Sequence, residues 1–533
     1  MNHKSLALLF CFIMAGCAHQ TPLPATSNEH DIVITNGRIV DGAGNNWFRG
    51  DIGIRDGKIV DMGKFAAPHA KRVIDAKGLI VAPGFIDVHG HIEFGLFERP
   101  TSDNYIYNGV TTVITGNCGG SFDSVEEFLT RIDRERTSIN VATLVGHNTV
   151  RRQVMGLNNR AASPMDQHNM ESLVDIAMRE GAVGLSTGLI YLPGVYSDTA
   201  EVVGLAKVAA KHQGIYASHI RNEGSRVVEA INEALDIGRA ANMPVQISHF
   251  KVSAPVNWGR SAETLRIIED ARRAGLDVTI DQYPYTASST TLSIMLPDWA
   301  REGGDDAIKQ RLIDPVQRKK IAAEILATAV NAKRDGFDYA VVARHAADAA
   351  LNGKSIAEIT RARGRGETMA AGAETVIDLL IAGGAQMIFH GMSEEDVRFF
   401  MRYPFNMVGA DGGVQNGRGM PHPRSYGTNA RVLAKYVREE NIISLEGAIR
   451  RMTSLAAQKF QLKNRGLLRE GYAADIVIFD EKTVTDKSTF ANPHQFSEGF
   501  QYVLVNGEVT IEAGKHNGVR NGVALRGPAY AGK

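Results

Sequence analysis

The sequence has few cysteines, no excess of either charge and no long apolar run, and each absence excludes a class of protein. Only three of the 533 residues are cysteine. Cys11 and Cys17 lie in a leader-like segment, so the mature chain would keep Cys118 alone and could form no internal disulfide. Lys plus Arg and Asp plus Glu number 59 each, which gives no general attraction to nucleic acid or to an anionic surface. We therefore expect a small-molecule substrate and no nucleic acid partner, while the oligomeric state stays open.

The apolar run near the start covers residues 6–15 and is too short to span a bilayer as a permanent helix. It follows a short basic start and ends at Cys17 in Met-Ala-Gly-Cys, which resembles the lipobox of bacterial lipoproteins. We predict a signal peptide over residues 1–16, a lipid anchor on Cys17 and a flexible tether over residues 17–30. Ala18 favours the periplasmic side of the outer membrane if the host is Gram-negative. The alternative is an ordinary secretory signal with an incidental cysteine.

Short β-type runs occur at both ends of the remaining chain. The dipeptides Asn36-Gly37 and Asp56-Gly57 separate neighbouring runs near the start, and Asn506-Gly507 separates two runs near the end. Each dipeptide favours a two-residue hairpin turn because both residues tolerate positive φ. We predict that residues 31–82 and 466–533 together build a small β-sandwich domain around a central insert.

The central part alternates short apolar strands with helix-length segments. Eight such repeats suit a closed (β/α)8 barrel, a TIM-like α/β fold, better than an open sheet. We predict a catalytic barrel over residues 83–300 and 386–465, with an inserted subdomain over residues 301–385. The insert would be either a lid at the barrel mouth or a plain surface excursion. The strand candidates are residues 84–88, 111–115, 141–145, 182–186, 215–219, 245–249, 276–280 and 406–410, and residues 387–389 form a ninth without a clear place.

Two histidines end the first predicted barrel strand, in Asp-Val-His89-Gly-His91. Residues two apart on an extended chain point the same way, so both rings could reach one cation at the C-terminal mouth of the barrel. Taken alone, the motif could equally be a pair of solvent-facing histidines.

Four further candidate ligands lie at equivalent places. His219, His249 and Asp411 each close a predicted strand, and Cys118 follows the second strand. Because the C-terminal ends of barrel strands all face one mouth, these side chains should converge with the two histidines. Zinc accepts nitrogen, sulfur and oxygen donors, and catalytic zinc sites leave a position open for water. The six residues together predict a zinc site.

The run over residues 109–121, Gly-Val-Thr-Thr-Val-Ile-Thr-Gly-Asn-Cys-Gly-Gly-Ser, is the most diagnostic motif. With the other motifs it resembles the D-aminoacylase, or N-acyl-D-amino-acid deacylase, branch of the amidohydrolase superfamily, over about residues 31–507. In many relatives a carbamylated lysine bridges two metals, whereas in this branch a cysteine joins the metal shell. The resemblance implies one tightly held zinc on Cys118, His219 and His249. It also implies a second, weaker or optional site that involves His89, His91 and Asp411.

The same resemblance implies hydrolysis of the amide bond of N-acyl-D-amino acids, with Asp411 carrying the proton from the attacking water to the leaving amine. The preference for D substrates comes from the resemblance alone. His147 ends the third strand and stays unassigned. Cationic and hydroxyl donors suit the substrate's α-carboxylate, and the candidates for them are Tyr191, Lys251 and Arg424, with Tyr283 as a further mouth residue.

The segment of residues 288–299 resembles the family stretch beside the side-chain pocket. It is rich in apolar residues and contains no basic residue. We therefore expect neutral, apolar substrate side chains, because an acidic one would lack a counter-ion. A counter-ion supplied by Arg301 or by the inserted segment stays open.

Three other functions are consistent with parts of this pattern. Ring opening of cyclic amides is disfavoured, because a cysteine stands where those enzymes use a lysine. Release of a D-residue from a dipeptide stays open. A non-catalytic, lipid-anchored binding protein would be expected to lack metal ligands, and none of the six is missing.

Overall fold

The computed structural model of the protein describes residues 29–65 and 69–532. The predicted signal peptide, the lipidation site Cys17 and nearly all of the tether lie outside these residues. Within the described part, none of the helices is both long enough and apolar enough to cross a membrane.

Both ends of the chain contribute to one mixed sheet of nine strands. Ile80–Pro83 joins the two halves, because it pairs in parallel with His30–Ile39 on one edge and antiparallel with Ile476–Phe479 on the other. The expected β-sandwich is therefore hydrogen-bonded as one continuous sheet, and isoleucines and valines fill its core. Its strands are His30–Ile39, Phe48–Arg55, Lys58–Gly63, Ala70–Asp75, Ile80–Pro83, Ile476–Phe479, Phe500–Val505, Glu508–Glu512 and Lys515–His516.

Two of the three predicted hairpin turns are present. Asp56-Gly57 and Asn506-Gly507 have positive φ at both residues and connect consecutive strands. The prediction for Asn36-Gly37 was wrong, because this dipeptide lies inside His30–Ile39, where the register shifts in a β-bulge. Asn36 has a φ of 57°. A bulge and a hairpin turn use the same backbone freedom, so the dipeptide alone does not distinguish them.

Eight parallel strands alternate with helices along the central part, which confirms the predicted barrel architecture. The first and last strands meet where Asp411 N donates to His89 O and His91 N donates to Gly412 O, both at 2.8 Å. The barrel strands are Phe85–Asp87, Val110–Thr115, Asn140–Thr143 continued by Val145–Gly146, Gly184–Gly188, Ile215–His219, Val245–Ile247, Val278–Gln282 and Asn406–Val408.

Helices cover the outside of the barrel and bury their apolar faces against its strands. In Ser261–Arg273, for example, Leu265, Ile268 and Ala271 share the buried face, as the helical period predicts. The α-helices of this layer are Asp103–Ile106, Val125–Glu135, His147–Met155, Pro164–Arg179, Thr199–Lys211, Val227–Ala241, Ser261–Arg273, Glu394–Met401, Arg424–Arg431, Leu445–Met452 and Ser454–Lys459, with a π-helix at Val432–Glu439 and short 3-10 helices at Gly194–Tyr196 and Pro255–Asn257.

A subdomain with its own hydrophobic core lies between the last two barrel strands. Its antiparallel sheet places Ala385–His390 between Ala287–Thr291 and Ala340–His345. The subdomain therefore extends beyond the expected residues 301–385 at both ends, and the unplaced candidate at residues 387–389 belongs to its central strand. Its helices are Gly304–Ile313, Pro315–Asn331, Ile356–Ala362 and Met369–Ile381, with 3-10 helices at Leu292–Met295, Asp298–Arg301 and Ala349–Leu351.

Hydrogen bonds hold this subdomain against the C-terminal mouth of the barrel. Met420 N, in the loop after the last barrel strand, donates to Ala343 O at 2.7 Å. His422 Nε2 lies 2.9 Å from Ala287 O, in another strand of the subdomain. The insert is therefore part of the wall above the strand ends.

Candidate metal centre

The six predicted ligands converge at the mouth of the barrel. They form two groups that share Cys118, and within each group the ligand atoms lie within 4.8 Å of one another. This arrangement follows from the fold, because each residue stands at or just beyond the C-terminal end of a barrel strand. The first group is Cys118, His219 and His249, and the second is His89, His91, Cys118 and Asp411.

The distances around Cys118 Sγ suit ligands of one zinc ion. Within the first group, His219 Nδ1 lies 3.6 Å from the sulfur and His249 Nε2 lies 3.5 Å from it. In the second group, His89 Nε2 lies 3.3 Å from the same sulfur. In a tetrahedral site with zinc–sulfur and zinc–nitrogen bonds of about 2.3 and 2.0 Å, ligand sulfur and nitrogen atoms are about 3.5 Å apart. The donor types and their spacing therefore fit zinc.

The protonation states of these groups are set mainly by desolvation. Burial lowers the pKa of His89 and His219, which favours the neutral imidazole that binds metal. Desolvation raises the pKa of the Cys118 thiol well above its usual value. Since the thiolate is the form that binds metal, ionisation of Cys118 requires a cation beside it.

Asp411 connects the second group to an arginine. Its Oδ1 lies 3.1 Å from His91 Nε2 and 3.7 Å from His89 Nε2, and its Oδ2 lies 3.0 Å from Arg424 Nη1. Desolvation opposes ionisation of this carboxyl group, but Arg424 and His91 more than offset that effect and hold its pKa well below the usual range. Asp411 is therefore a carboxylate that can accept a proton.

Three of the candidate ligands have a left-handed backbone conformation. The φ angles of Cys118, His249 and Asp411 are 53°, 36° and 49°. Residues other than glycine rarely adopt this region, and such strain is concentrated at functional sites. At each position the chain turns where a barrel strand gives way to its loop.

Two buried aspartates that the sequence analysis did not assign support the ligands. Asp281 Oδ1 accepts a hydrogen bond from His249 N at 2.8 Å and lies 3.3 Å from His89 Nδ1. Asp87 Oδ1 accepts from His89 N at 2.9 Å and from Ala410 N at 3.0 Å. Burial raises the pKa of Asp87 to about 7. Asp87 begins the Asp-Val-His89-Gly-His91 motif, but no local pattern separates a supporting carboxylate from a ligand.

Glu223 was also missed, and it pairs with Lys251 beside His249. Its Oε1 lies 2.5 Å from Lys251 Nζ and 3.0 Å from His249 Nδ1. Burial opposes ionisation of Glu223, but Lys251 and the two neighbouring histidines, His219 and His249, more than offset it and lower its pKa. Lys251 thus has an acid partner behind His249, which is the kind of contact that orients a ligand histidine.

The four predicted substrate-binding residues divide between two cavities. Tyr191 and Arg424 line a cavity of about 510 Å³ together with Cys118 and Asp411. The Tyr191 ring packs edge-on against His219 at 4.8 Å, and its hydroxyl accepts a hydrogen bond from Thr290 Oγ1 at 3.2 Å.

The other two predicted residues line a separate cavity. Lys251 and Tyr283 line a much smaller cavity beside His249. The Arg424 guanidinium lies over the Tyr283 ring at 4.6 Å, so Tyr283 supports Arg424 from behind. Of the four predicted residues, Tyr191 and Arg424 are therefore the two that line the cavity of about 510 Å³, which we call the main cavity because it contains the candidate ligands Cys118 and Asp411.

His147 belongs to a buried ion-pair network and to neither of the two ligand groups in the described residues. Its Nε2 lies 2.8 Å from Glu201 Oε1, and Glu201 Oε2 lies 2.8 Å from Arg151 Nη1. The adjacent Asn148 donates to Tyr191 O at 3.3 Å. The network therefore braces the segment that carries Tyr191.

Two protein-family models match this chain. A model of an amidohydrolase family matches residues 72–511, which is most of the chain. A model of the urease alpha-subunit N-terminal domain matches residues 13–85.

Individual relatives are similar to this chain over nearly its whole length. N-acyl-D-glutamate deacylase of Alcaligenes xylosoxydans xylosoxydans is 37% identical, over 90% of this chain and 93% of its own. A crystal structure of D-aminoacylase has a TM-score of 0.81 at 33% identity, over 93% of this chain and 100% of its own. N-acyl-D-glutamate deacylase from Bordetella bronchiseptica, complexed with zinc and a phosphonate mimic of the tetrahedral intermediate, has a TM-score of 0.80 at 36% identity, over 93% and 100%.

Proposed function

This chain belongs to the amidohydrolase family, and on that premise we propose that it is a zinc-dependent deacylase of N-acyl-D-amino acids. The observation that carries the proposal is the convergence of Cys118, His219 and His249 at zinc-ligand spacing beside Asp411. These three residues hold one zinc tightly. A second, weaker or optional zinc involves His89, His91 and Asp411. The reaction adds water across the amide bond and releases a carboxylate and a free D-amino acid.

The chemistry divides between the ion and the chain. When bound, zinc lowers the pKa of a coordinated water toward neutrality and polarises the amide carbonyl. Asp411 accepts the proton of the attacking water and gives it to the nitrogen of the leaving amine, which would otherwise depart as an unstable anion. Arg424 keeps Asp411 ionised between turnovers through their 3.0 Å contact.

Arg424 and Tyr191 bind the substrate's α-carboxylate from the wall of the main cavity. The guanidinium carries five donors, so contacts to Asp411 and to Ser289 O leave others free for a carboxylate. Lys251 contributes from behind, through Glu223 and His249. The convergence of all six ligands favours an enzyme over a binding protein that has lost its chemistry.

We expect the zinc-loaded enzyme to hydrolyse N-acetyl-D-amino acids at least about 100-fold more efficiently than the L-enantiomers. The wrong enantiomer cannot place its carboxylate on Arg424 and its amide at the metal together, and a misplacement of about 1 Å costs this much. The measurement is amine release over a panel of N-acetyl-D- and N-acetyl-L-amino acids. D-dipeptides serve as the competing substrate class. Faster cleavage of the L-series, or of dipeptides alone, would refute the proposed function.

The proposal includes export and attachment to a membrane by a lipid on Cys17, supported by the sequence motif alone. We expect the wild-type protein in the membrane fraction and the Cys17→Ser variant either soluble or uncleaved, with the same kcat/KM after purification. Cys11→Ser is the matched control, because it changes the other leader cysteine and leaves the motif intact. Recovery of exported wild-type protein as a freely soluble species would exclude the anchor.

A further inference from the structure

The main cavity has two cationic side chains that have no acid partner in residues 29–65 and 69–532. Arg344 and Arg418 line the cavity, and neither makes an ion pair within that part of the chain. Arg424 and Lys251, by contrast, are paired with Asp411 and Glu223. The cavity therefore carries positive charge beyond what its own acids balance.

The apolar residues that led to the expectation of neutral substrates lie elsewhere. Leu292 and Leu296 pack into the core of the inserted subdomain, and the segment of residues 288–299 contributes only Ser289 and Thr290 to the cavity wall. The expectation rested on this segment, so the structure removes its basis. The sequence left open a counter-ion from the inserted segment, and Arg344 of that segment lines the cavity.

The backbone of Arg344 is fixed against the loop that follows Asp411, while its side chain is exposed. A register shift between Val342 and Arg344 interrupts the pairing of its strand. Next to it, Ala343 O accepts the hydrogen bond from Met420 N at 2.7 Å. Gly419, with a φ of 73°, lies so close that a Cβ there would be 2.8 Å from Ala343 O and 3.2 Å from Arg344 Cβ. The backbone of Arg344 is therefore packed against the loop that follows Asp411.

A chain of polar side chains connects Arg344 to the α-carboxylate site along one wall. Arg344 pairs across the sheet with Gln386, and Gln386 Nε2 donates to Ser289 Oγ at 3.1 Å. Ser289 O in turn accepts from Arg424 Nη2 at 3.3 Å. Arg344 and Arg424 thus stand on the same wall, separated by two polar residues that also line the cavity.

We propose that Arg344, with Arg418 beside it, forms a subsite for a second substrate carboxylate, so that the preferred substrates are N-acyl-D-amino acids with acidic side chains. The inference rests on the proposed deacylase function. A substrate with two carboxylates needs two separate cations, and an arginine fork binds a carboxylate through two charge-assisted hydrogen bonds. Arg424 holds the α-carboxylate and Arg344 holds the distal one.

The test compares N-acetyl-D-glutamate with N-acetyl-D-glutamine, which has the same shape without the charge. We expect the wild-type enzyme to favour glutamate by at least about tenfold in kcat/KM. In Arg344→Gln and Arg344→Met, the ratio of the two kcat/KM values should fall by about 10- to 100-fold, the usual range for hydrogen bonds to a charged group. Arg363→Gln is the matched control, because Arg363 belongs to the same subdomain and pairs with Asp378 at 3.5 Å. That control should leave the ratio unchanged.

Each outcome decides the inference. A wild-type preference for the glutamine derivative, or an unchanged ratio in both Arg344 variants, overturns the subsite and leaves the deacylase function standing. Failure of the zinc-loaded wild-type enzyme to hydrolyse any N-acetyl-D-amino acid overturns both. Zinc content and thermal unfolding of each variant separate a lost subsite from a misfolded protein.

Discussion

Cys118→Ala is expected to yield a folded protein that retains little zinc and has no measurable deacylase activity. Cys118 belongs to both groups of candidate ligands, and its sulfur lies within 3.6 Å of three ligand nitrogens. Changes to residues that only support a ligand already lower metal affinity by about 10- to 100-fold, so loss of a ligand should cost more. The measurement is zinc per chain after gel filtration, beside kcat/KM for an N-acetyl-D-amino acid.

The matched control for this variant is His212→Ala. His212 is a histidine outside the cavity that pairs with Asp175 at 2.7 Å, so its loss should change neither zinc content nor activity. The fold of Cys118→Ala should survive, because an alanine fits the space of a thiol. Retention of about one zinc per chain by Cys118→Ala would show that the tight site is built from other residues.

Asp411→Asn is expected to lower kcat by about 10² to 10⁴ while the tight zinc and the fold are kept. The amide has nearly the same shape as the carboxylate but cannot accept the proton of the attacking water. The tight zinc should persist because Asp411 is absent from the group of Cys118, His219 and His249. Single-turnover rates and zinc content, measured on the same preparation, distinguish a lost proton carrier from a lost metal.

Asp277→Asn provides the control for the same chemical change. Asp277 directly precedes the strand Val278–Gln282, at the opposite end of the barrel, and contacts Lys459 at 3.3 Å. We expect its kcat to stay within about twofold of wild type, as for most surface substitutions. If Asp411→Asn is likewise within a few-fold of wild type, the proton must be carried by another group.

The architecture and the candidate ligands were accessible from the sequence because both depend on local patterns. Each barrel strand is a short apolar run followed by a helix-length segment, and this alternation repeats eight times. The closure of such a barrel brings all strand ends to one mouth, so a histidine at the end of a strand has a predictable location. His89, His219 and His249 could therefore be assigned to one centre before any distance was known. The turn at Asp56-Gly57 was predictable for the same reason, since its conformation depends on two adjacent residues.

Contacts between distant parts of the chain decided the rest. Asp87 and Ala410 are 323 residues apart, and Lys251 and Glu223 are 28 apart, so no window of sequence shows either pair. The strand His30–Ile39 has partners on both edges, and this pairing turned Asn36-Gly37 into a bulge.

The sequence by itself determined which residues could bind zinc, because donor chemistry and position on a strand are local properties. Only the tertiary structure decided what surrounds them. An apolar run reads the same whether it lines a pocket or fills a core, and packing placed Leu292 and Leu296 in the core of the subdomain. In the sequence, an arginine in a cavity wall cannot be distinguished from any other surface arginine. Only the fold shows that Arg344 lines the cavity. Burial and ion pairing depend on three-dimensional neighbours, and those neighbours exist only once the chain has folded.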